Sequence, residues 1–281
     1  MLNIAIQNQF DNLILTEKAD AVYFGERFCI EKFINSYALI EKFGKKAKEA
    51  NVKTILVVPG IVPEINFSQV SDLVLRSLDF IDGILSSDYG ICYHLRKKCN
   101  VIYEGKVFNR LFLDQLTTTL NVKKIRISPP YLNLIKKIKR RDVEFEIYAH
   151  GLIPIAGFAE CLTKSLYGCD NCNQGSEIKN IYGTFILSGR TLRSSIDICC
   201  FDIIDQLEEF GIKSLVIETY GKQISAVENL IDIYKRKSCG ALNQVAHCNG
   251  IFLGDDTSVQ LSGIWQKDYC EINKRLNKAS L

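Results

Sequence analysis

Short runs of β-branched and aromatic residues alternate with amphipathic stretches along most of the chain. Eight of the short β-branched runs predict strands: Asn3–Gln7, Asp20–Phe24, Thr54–Val58, Ile81–Leu85, Asn100–Tyr103, Lys124–Ile127, Val143–Tyr148 and Ser214–Glu218. Helical spacing predicts helices between several of them: Phe33–Ala50, Val70–Phe80, Leu132–Lys139 and Ser195–Phe210. This alternation is typical of a parallel sheet covered by helices.

Eight candidate strands favour a closed α/β barrel of the TIM type over an open sheet, as a single domain over residues 1–281. The strands are not followed by a GxGxxG or GxxxxGK[ST] motif, so dinucleotide and P-loop sites are not predicted. The segment Glu160–Tyr182 is polar, contains cysteine and glycine, and lacks periodicity. We predict that it is a Cys-rich insertion at the C-terminal face of the barrel, where loops carry the chemistry.

The overall charge is nearly balanced, with 35 basic and 32 acidic residues and a net charge of +3. This balance does not suggest an obligate nucleic-acid binder. Apolar runs are shorter than the roughly 20 residues that a membrane span needs, and the first residues do not resemble a signal peptide. The sequence therefore predicts a cytoplasmic protein without a transmembrane segment.

Cysteine is the unusual component, with 11 residues in 281. Cys161, Cys169 and Cys172 lie in the polar insertion, and the last two form a CxxC pair typical of thiolate metal or cluster sites. Candidates for a fourth ligand are Cys29, Cys199, Cys200, Cys239 and Cys248. Cys29 follows the second predicted strand, which would place it on the same barrel face as the insertion. An iron–sulfur cluster, a structural zinc and a chance CxxC pair are the three interpretations.

Two segments resemble signatures of the U-32 (collagenase-like) peptidase family. Ala19–Glu26 (ADAVYFGE) is similar to its ADAVYxG segment, and Glu146–Gly151 (EIYAHG) is similar to its ExFxHG signature. Gly151–Cys161 and Cys248–Gly250 look most like the UbiV branch, which acts with UbiU in oxygen-independent ubiquinone biosynthesis. Most family members carry a cysteine where this chain has Pro154, and this chain has Cys29 instead, as UbiV does.

The resemblance implies a four-iron four-sulfur cluster held by Cys29, Cys161, Cys169 and Cys172. Cys199 or Cys200 could replace one of these ligands. The resemblance also implies a heterodimer with a UbiU-like second barrel. This heterodimer would hydroxylate the ring of a prenylated aromatic precursor of ubiquinone without dioxygen.

The family resemblance also points to a substrate pocket containing Glu146 and His150, and to Asn109 after the fifth strand. A hydrogen-bonded buried histidine and a helix-capping asparagine are the structural alternatives for the last two. Proteolysis is not predicted, because the sequence lacks HExxH and GxSxG motifs. Two alternative functions are hydroxylation of tRNA or rRNA and a non-catalytic subunit with a structural cluster or zinc.

Overall fold

The computed structural model describes most of the chain up to residue 237 and two short segments beyond it. The described residues are 2–105, 109–127, 142–158, 160–161, 164, 168–169, 176–180, 183–194, 197–201, 204–237, 251–253 and 259–261. Cys172, Cys239 and Cys248 lie outside the described residues, as does the predicted helix Leu132–Lys139.

Fifteen strands are present in the described part of the chain. They are β1 (Asn3–Gln7), β2 (Ala21–Gly25), β3 (Lys53–Val57), β4 (Gly83–Ser86), β5 (Val101–Glu104), β6 (Lys124–Ile127), β7 (Glu144–Gly151), β8 (Pro154–Gly157), β9 (Ser176–Asn180), β10 (Gly183–Ser188), β11 (Thr191–Arg193), β12 (Ile198–Cys199), β13 (Ile212–Glu218), β14 (Ile251–Leu253) and β15 (Val259–Leu261).

Eight of these strands close into a parallel barrel. β1 to β7 pair in chain order, and β13 pairs with both β7 and β1, which closes the ring. The predicted TIM-like α/β fold is therefore confirmed. The match is closest at β1 and β6, whose observed bounds equal the predicted ones.

Helices follow the barrel strands and cover their outer faces. They are α1 (Ile30–Ile34), α2 (Tyr37–Glu49), α3 (Glu64–Ser77), α4 (Tyr89–Leu95), α5 (Arg110–Thr119), α6 (Ile204–Glu209) and α7 (Ile224–Arg236). In α7 the buried side chains are Val227, Leu230, Ile231, Ile233 and Tyr234. This spacing of three and four residues gives one apolar face, which packs on the barrel. Among the described residues, no helix is both long and apolar enough to cross a membrane.

The barrel separates two apolar clusters. Ile4 and Ile6 of β1 belong to the larger cluster between strands and helices, whereas Ala5 belongs to a smaller cluster inside the barrel. Tyr23 and Tyr148 also lie in the inner cluster. The alternation follows from the strand period of two, which sends successive side chains to opposite faces.

The insertion after β7 is more structured than its composition indicates. The polar insertion was predicted at 160–182, but β8, β11, β10 and β9 form a four-stranded antiparallel sheet from Pro154 to Arg193. The predicted helix Ser195–Phe210 is also shorter, because β12 precedes α6 and pairs with β7. The predicted helix Phe33–Ala50 is divided into α1 and α2.

Gly25 at the end of β2 has a conformation that an L-residue rarely adopts. Its φ is +148°, and an added Cβ would lie 2.2 Å from the carbonyl oxygen of Val57. We expect Gly25→Ala to lower the free energy of unfolding by roughly 1–3 kcal/mol from backbone strain alone. Urea unfolding would measure this. Gly211→Ala is the control, because its φ is also positive (+86°) but its Cβ would meet no atom within 4 Å. Equal destabilisation by the two substitutions would contradict the predicted clash.

Candidate functional site

A buried network of charged and polar side chains fills the barrel interior. Arg126 on β6 donates from Nε to Glu146 Oε1 on β7 over 2.7 Å, and Tyr23 on β2 donates to the other carboxylate oxygen over 2.5 Å. Arg126 also donates from Nη1 to Gln7 Oε1 over 2.7 Å. Arg126 and Glu146 are almost completely buried. Each charge is therefore compensated inside the barrel, as a buried ion pair requires.

A second layer of this network surrounds the Tyr148 hydroxyl. Arg27 donates to it over 2.6 Å and Arg126 over 3.2 Å, and Arg27 also pairs with Glu104 at the end of β5. Burial raises the pKa of Tyr148 to about 12, although the two nearby guanidinium groups act in the opposite direction. The phenol is therefore neutral at pH 7, and it is the shared acceptor of two cations.

The three predicted pocket residues lie in three different environments. Glu146 faces the barrel interior, as described above. Asn109 is the N-cap of α5, where its side-chain oxygen accepts a hydrogen bond from the Phe112 amide over 2.8 Å. This capping contact is the structural alternative that the sequence left open.

His150 lies on the opposite side of β7 from Glu146. Its Nδ1 is 3.4 Å from the hydroxyl of Tyr234 on the outer helix α7, and its Nε2 is 3.9 Å from Asp197 Oδ2. A spacing of four residues would place both side chains on one face of a regular strand. The pairing of β7 with β13 shifts register between Val216 and Ile217, and this bulge reverses the side on which His150 lies. The structure therefore does not bring Glu146 and His150 together.

Two of the four predicted cluster cysteines share one neighbourhood. Cys29 is half-buried directly before α1, and Cys161 follows β8. Burial raises the pKa of the Cys29 thiol, and the charges of Glu26 and Cys161 raise it further, while the backbone amide of Lys32 and the charge of Arg190 lower it. The loop that carries Cys29 and the segment that leads to Cys161 are in contact through Phe28 and Gly157, although 132 positions of sequence separate the two cysteines.

The second sheet holds the segment before Cys161 against the loop before Cys29. Phe158 donates its amide to Arg190 O over 2.9 Å, and Arg190 in turn donates to Phe28 O over 3.5 Å. A Cβ on Gly157 would lie 2.2 Å from the Phe28 ring, so this glycine allows the sheet to pack against the loop before Cys29. The segment leading to Cys161 is therefore held beside the loop that carries Cys29.

The remaining cysteines are placed differently. Cys169 is exposed, and the predicted ligand Cys172 lies outside the described residues. Cys200 is buried and its thiol donates to Tyr148 O over 3.6 Å, in the wall of the barrel. Within the described ranges, three or more cysteine, histidine or acidic side chains are nowhere grouped closely enough to hold a metal ion. Thiol side chains of the kind that Cys29 and Cys161 carry are suited to thiolate ligation, and the predicted ligand set also includes Cys172, beyond those ranges.

Sequence reasoning did not identify the barrel network around Arg126 and Tyr148. A signal was present, because Lys124 and Arg126 alternate with isoleucines in a short predicted strand. Charged residues at every second position of a barrel strand share one face, and since Ile125 and Ile127 pack outward against the helices, that face is the barrel interior. Lys124 follows this rule, since its Nζ is 3.7 Å from Glu146 Oε2.

Comparison with known proteins gives one extended sequence match. The profile of peptidase family U32 matches residues 8–248. No curated protein sequence matches the chain. The solved structure of the U32 peptidase Mk0906 is 14% identical, with a TM-score of 0.45, and the match covers 79% of this chain and 94% of that one.

Two further structures have similar scores. Thiamine phosphate pyrophosphorylase from Pyrococcus furiosus is 10% identical with a TM-score of 0.47, and the match covers 84% of this chain and 96% of that one. KGPDC from Streptococcus mutans is 10% identical with a TM-score of 0.48, and the match covers 84% of this chain and 98% of that one.

Proposed function

The chain belongs to peptidase family U32, and from this premise we propose that it is the iron–sulfur subunit of an oxygen-independent hydroxylase. Its substrate would be the aromatic ring of a prenylated ubiquinone precursor, and its partner a second, UbiU-like barrel. The proposed cofactor is a four-iron four-sulfur cluster at the C-terminal face of the barrel. Peptide hydrolysis is not part of the proposal, because the sequence lacks HExxH and GxSxG motifs.

The contact between the loop before Cys29 and the segment that leads to Cys161 supports this proposal. Phe28 packs against Gly157 of β8, and strands β2 and β7 end at the same face of the barrel, so both cysteines follow elements of that face. Cys161, Cys169 and Cys172 would supply the other ligands from one segment. When bound, a cluster with four thiolate ligands supplies one-electron transfer.

The barrel residues have a separate role in the proposal. Arg126 and Arg27 place two guanidinium groups around the Tyr148 hydroxyl, and Glu146 and Glu104 balance them. These contacts hold the polar side chains in place inside the barrel, below the face that carries Cys29. We propose that it positions the substrate ring and excludes water, while the cluster lies beside it.

Metal analysis of the protein purified under argon tests the cofactor. We expect a brown protein with about four iron and four sulfide ions per chain, because the proposed ligand set is four thiolates. A colourless protein with stoichiometric zinc would contradict the proposal and favour the structural-zinc alternative.

Deletion of the gene tests the substrate. In a host that makes ubiquinone, we expect the deletion to abolish ring hydroxylation in anaerobic growth and to leave it unchanged in aerobic growth. Mass spectrometry of the quinone pool measures both. Normal anaerobic quinone together with a missing hydroxyl group on tRNA or rRNA would transfer the proposal to the RNA-modifying alternative. An iron-free variant that still supports hydroxylation with its partner would identify a non-catalytic subunit.

A further inference from the structure

Arg190 lies between β10 and β11, at the tip of the hairpin that these strands form, and it reaches the loop that carries Cys29. Its Nη1 donates to the carbonyl oxygen of Phe28 over 3.5 Å. This carbonyl belongs to the peptide bond that joins Phe28 to Cys29, so the guanidinium group contacts the backbone directly before the thiol. The carbonyl oxygen of Arg190 accepts the amide of Phe158, three residues before Cys161. Arg190 therefore contacts the segments that lead to both cysteines.

The guanidinium group of Arg190 has a donor to spare. Its Nε is buried and, among the residues that the structure describes, has no hydrogen-bond partner. In the same ranges Arg190 forms no ion pair, whereas Arg27 pairs with Glu104 and Arg193 with Glu218. A buried donor without an acceptor is costly, and the cost is larger for a charged group. The Nε group is therefore a site for an acceptor that the described residues do not supply.

The other charges beside Cys29 are already committed to each other. Glu26 Oε1 accepts the backbone amide of Cys29 over 3.3 Å, and Glu26 Oε2 is 3.8 Å from Lys32 Nζ. Lys32 also pairs with Asp11, so these three side chains together are negative. That charge alone would disfavour an anionic cofactor at Cys29, and Arg190 offsets it. Burial raises the pKa of the Cys29 thiol, and the charge of Arg190 opposes this increase.

We propose that Arg190 sets the reduction potential of the four-iron four-sulfur cluster, a role that rests on the proposed function and adds a residue outside the ligand set. Four thiolate ligands carry more negative charge than the iron–sulfur core balances, and an added electron increases the excess. A nearby cation and a hydrogen bond to sulfur stabilise the reduced form, so both raise the potential. Arg190 supplies the positive charge, and its unpaired Nε supplies a donor.

Redox titration of the full chain tests this role. The protein is purified under argon and reduced stepwise with dithionite in the presence of viologen mediators, and visible absorption follows the cluster. At the potential that half-reduces the unsubstituted protein, we expect Arg190→Gln to lower the ratio of reduced to oxidised cluster about tenfold. For one electron this equals a shift of about 59 mV to lower potential. Arg190→Lys keeps the charge, so its ratio should fall less than about threefold.

Arg110→Gln is the matched control for the lost charge. Arg110 lies on α5, its side chain is 77% exposed, and its replacement should leave the ratio unchanged. Arg190→Met is a second neutral variant, which keeps the apolar stem of the side chain for packing and should shift the ratio as far as Arg190→Gln.

Three results would overturn the proposal. They are an unchanged ratio in either neutral variant, an equal shift in Arg190→Lys, and loss of iron from both neutral variants. The last result would show that Arg190 only holds the hairpin against Phe28. Iron analysis of the same samples separates these results from a failure of the proposed function. An unsubstituted protein without iron would refute the cofactor and the role of Arg190 together, whereas full iron with an unchanged ratio would refute the role of Arg190 alone.

Discussion

Replacement of Cys29 by alanine is expected to remove most of the iron from the protein. In the proposed ligand set Cys29 is the only thiolate from outside the segment that carries Cys161, Cys169 and Cys172. Its loss leaves one iron without a thiolate at the half-buried edge where Cys29 lies. We expect Cys29→Ala to retain less than about one iron per chain after exposure to air, because an open iron site promotes loss of the cluster. Iron and sulfide analysis and the visible absorption spectrum measure this.

Cys99→Ala is the matched control for this experiment. Cys99 is also a partly buried thiol, but it follows α4 and contacts the carbonyl oxygen of Leu95. Its replacement should leave the iron content unchanged and cost only packing energy, within roughly 0.5–3 kcal/mol. Full iron in Cys29→Ala together with loss in Cys199→Ala or Cys200→Ala would assign the fourth ligand to the barrel wall instead.

Removal of the Glu146 carboxylate is expected to destabilise the barrel strongly. Glu146→Ala leaves the buried Arg126 guanidinium without its closest anion and removes the acceptor of the Tyr23 hydroxyl. Loss of one partner of a buried ion pair costs about 3–5 kcal/mol. Urea unfolding under argon measures the change in the free energy of unfolding.

Two further variants show whether the destabilisation of Glu146→Ala comes from the buried ion pair. Glu41→Ala breaks the exposed pair with Lys45 on α2 and should cost about 0.5 kcal/mol or less. The double variant Glu146→Ala/Arg126→Met removes both buried charges, and it should be more stable than Glu146→Ala alone. If Glu146→Ala were no more costly than Glu41→Ala, the ion pair would be solvated rather than buried.

The outer framework of the barrel was predictable because burial and strand period agree there. Lys124–Ile127 and Asn3–Gln7 were predicted with the bounds that the structure has. The second sheet was not predicted because its strands are short and partly exposed, as in Pro154–Gly157 and Ser176–Asn180. Antiparallel partners hold such strands together, and a single strand without an apolar face gives no periodic signal.

The candidate site was predictable only in part. The contact between the loop before Cys29 and the segment that leads to Cys161 agrees with barrel topology, which predicts both at the C-terminal face. The separation of Glu146 from His150 depends on a bulge in β7, and a bulge is a property of strand pairing that the sequence of one strand does not reveal. The buried Arg126 was missed because a charged residue in a sequence is normally interpreted as exposed.

The order of the barrel strands along the chain has a consequence for biosynthesis. The ring closes where Asn3 of β1 lies beside Ser214 of β13, and the whole second sheet is translated between β7 and this last strand. On the ribosome, the edges of β1 and β7 therefore lack their partner β13 until residue 218 has emerged from the exit tunnel. Pairing between distant segments is slow, and open strand edges promote aggregation. Nascent chains arrested before β13 are the species for which chaperone protection during synthesis matters most.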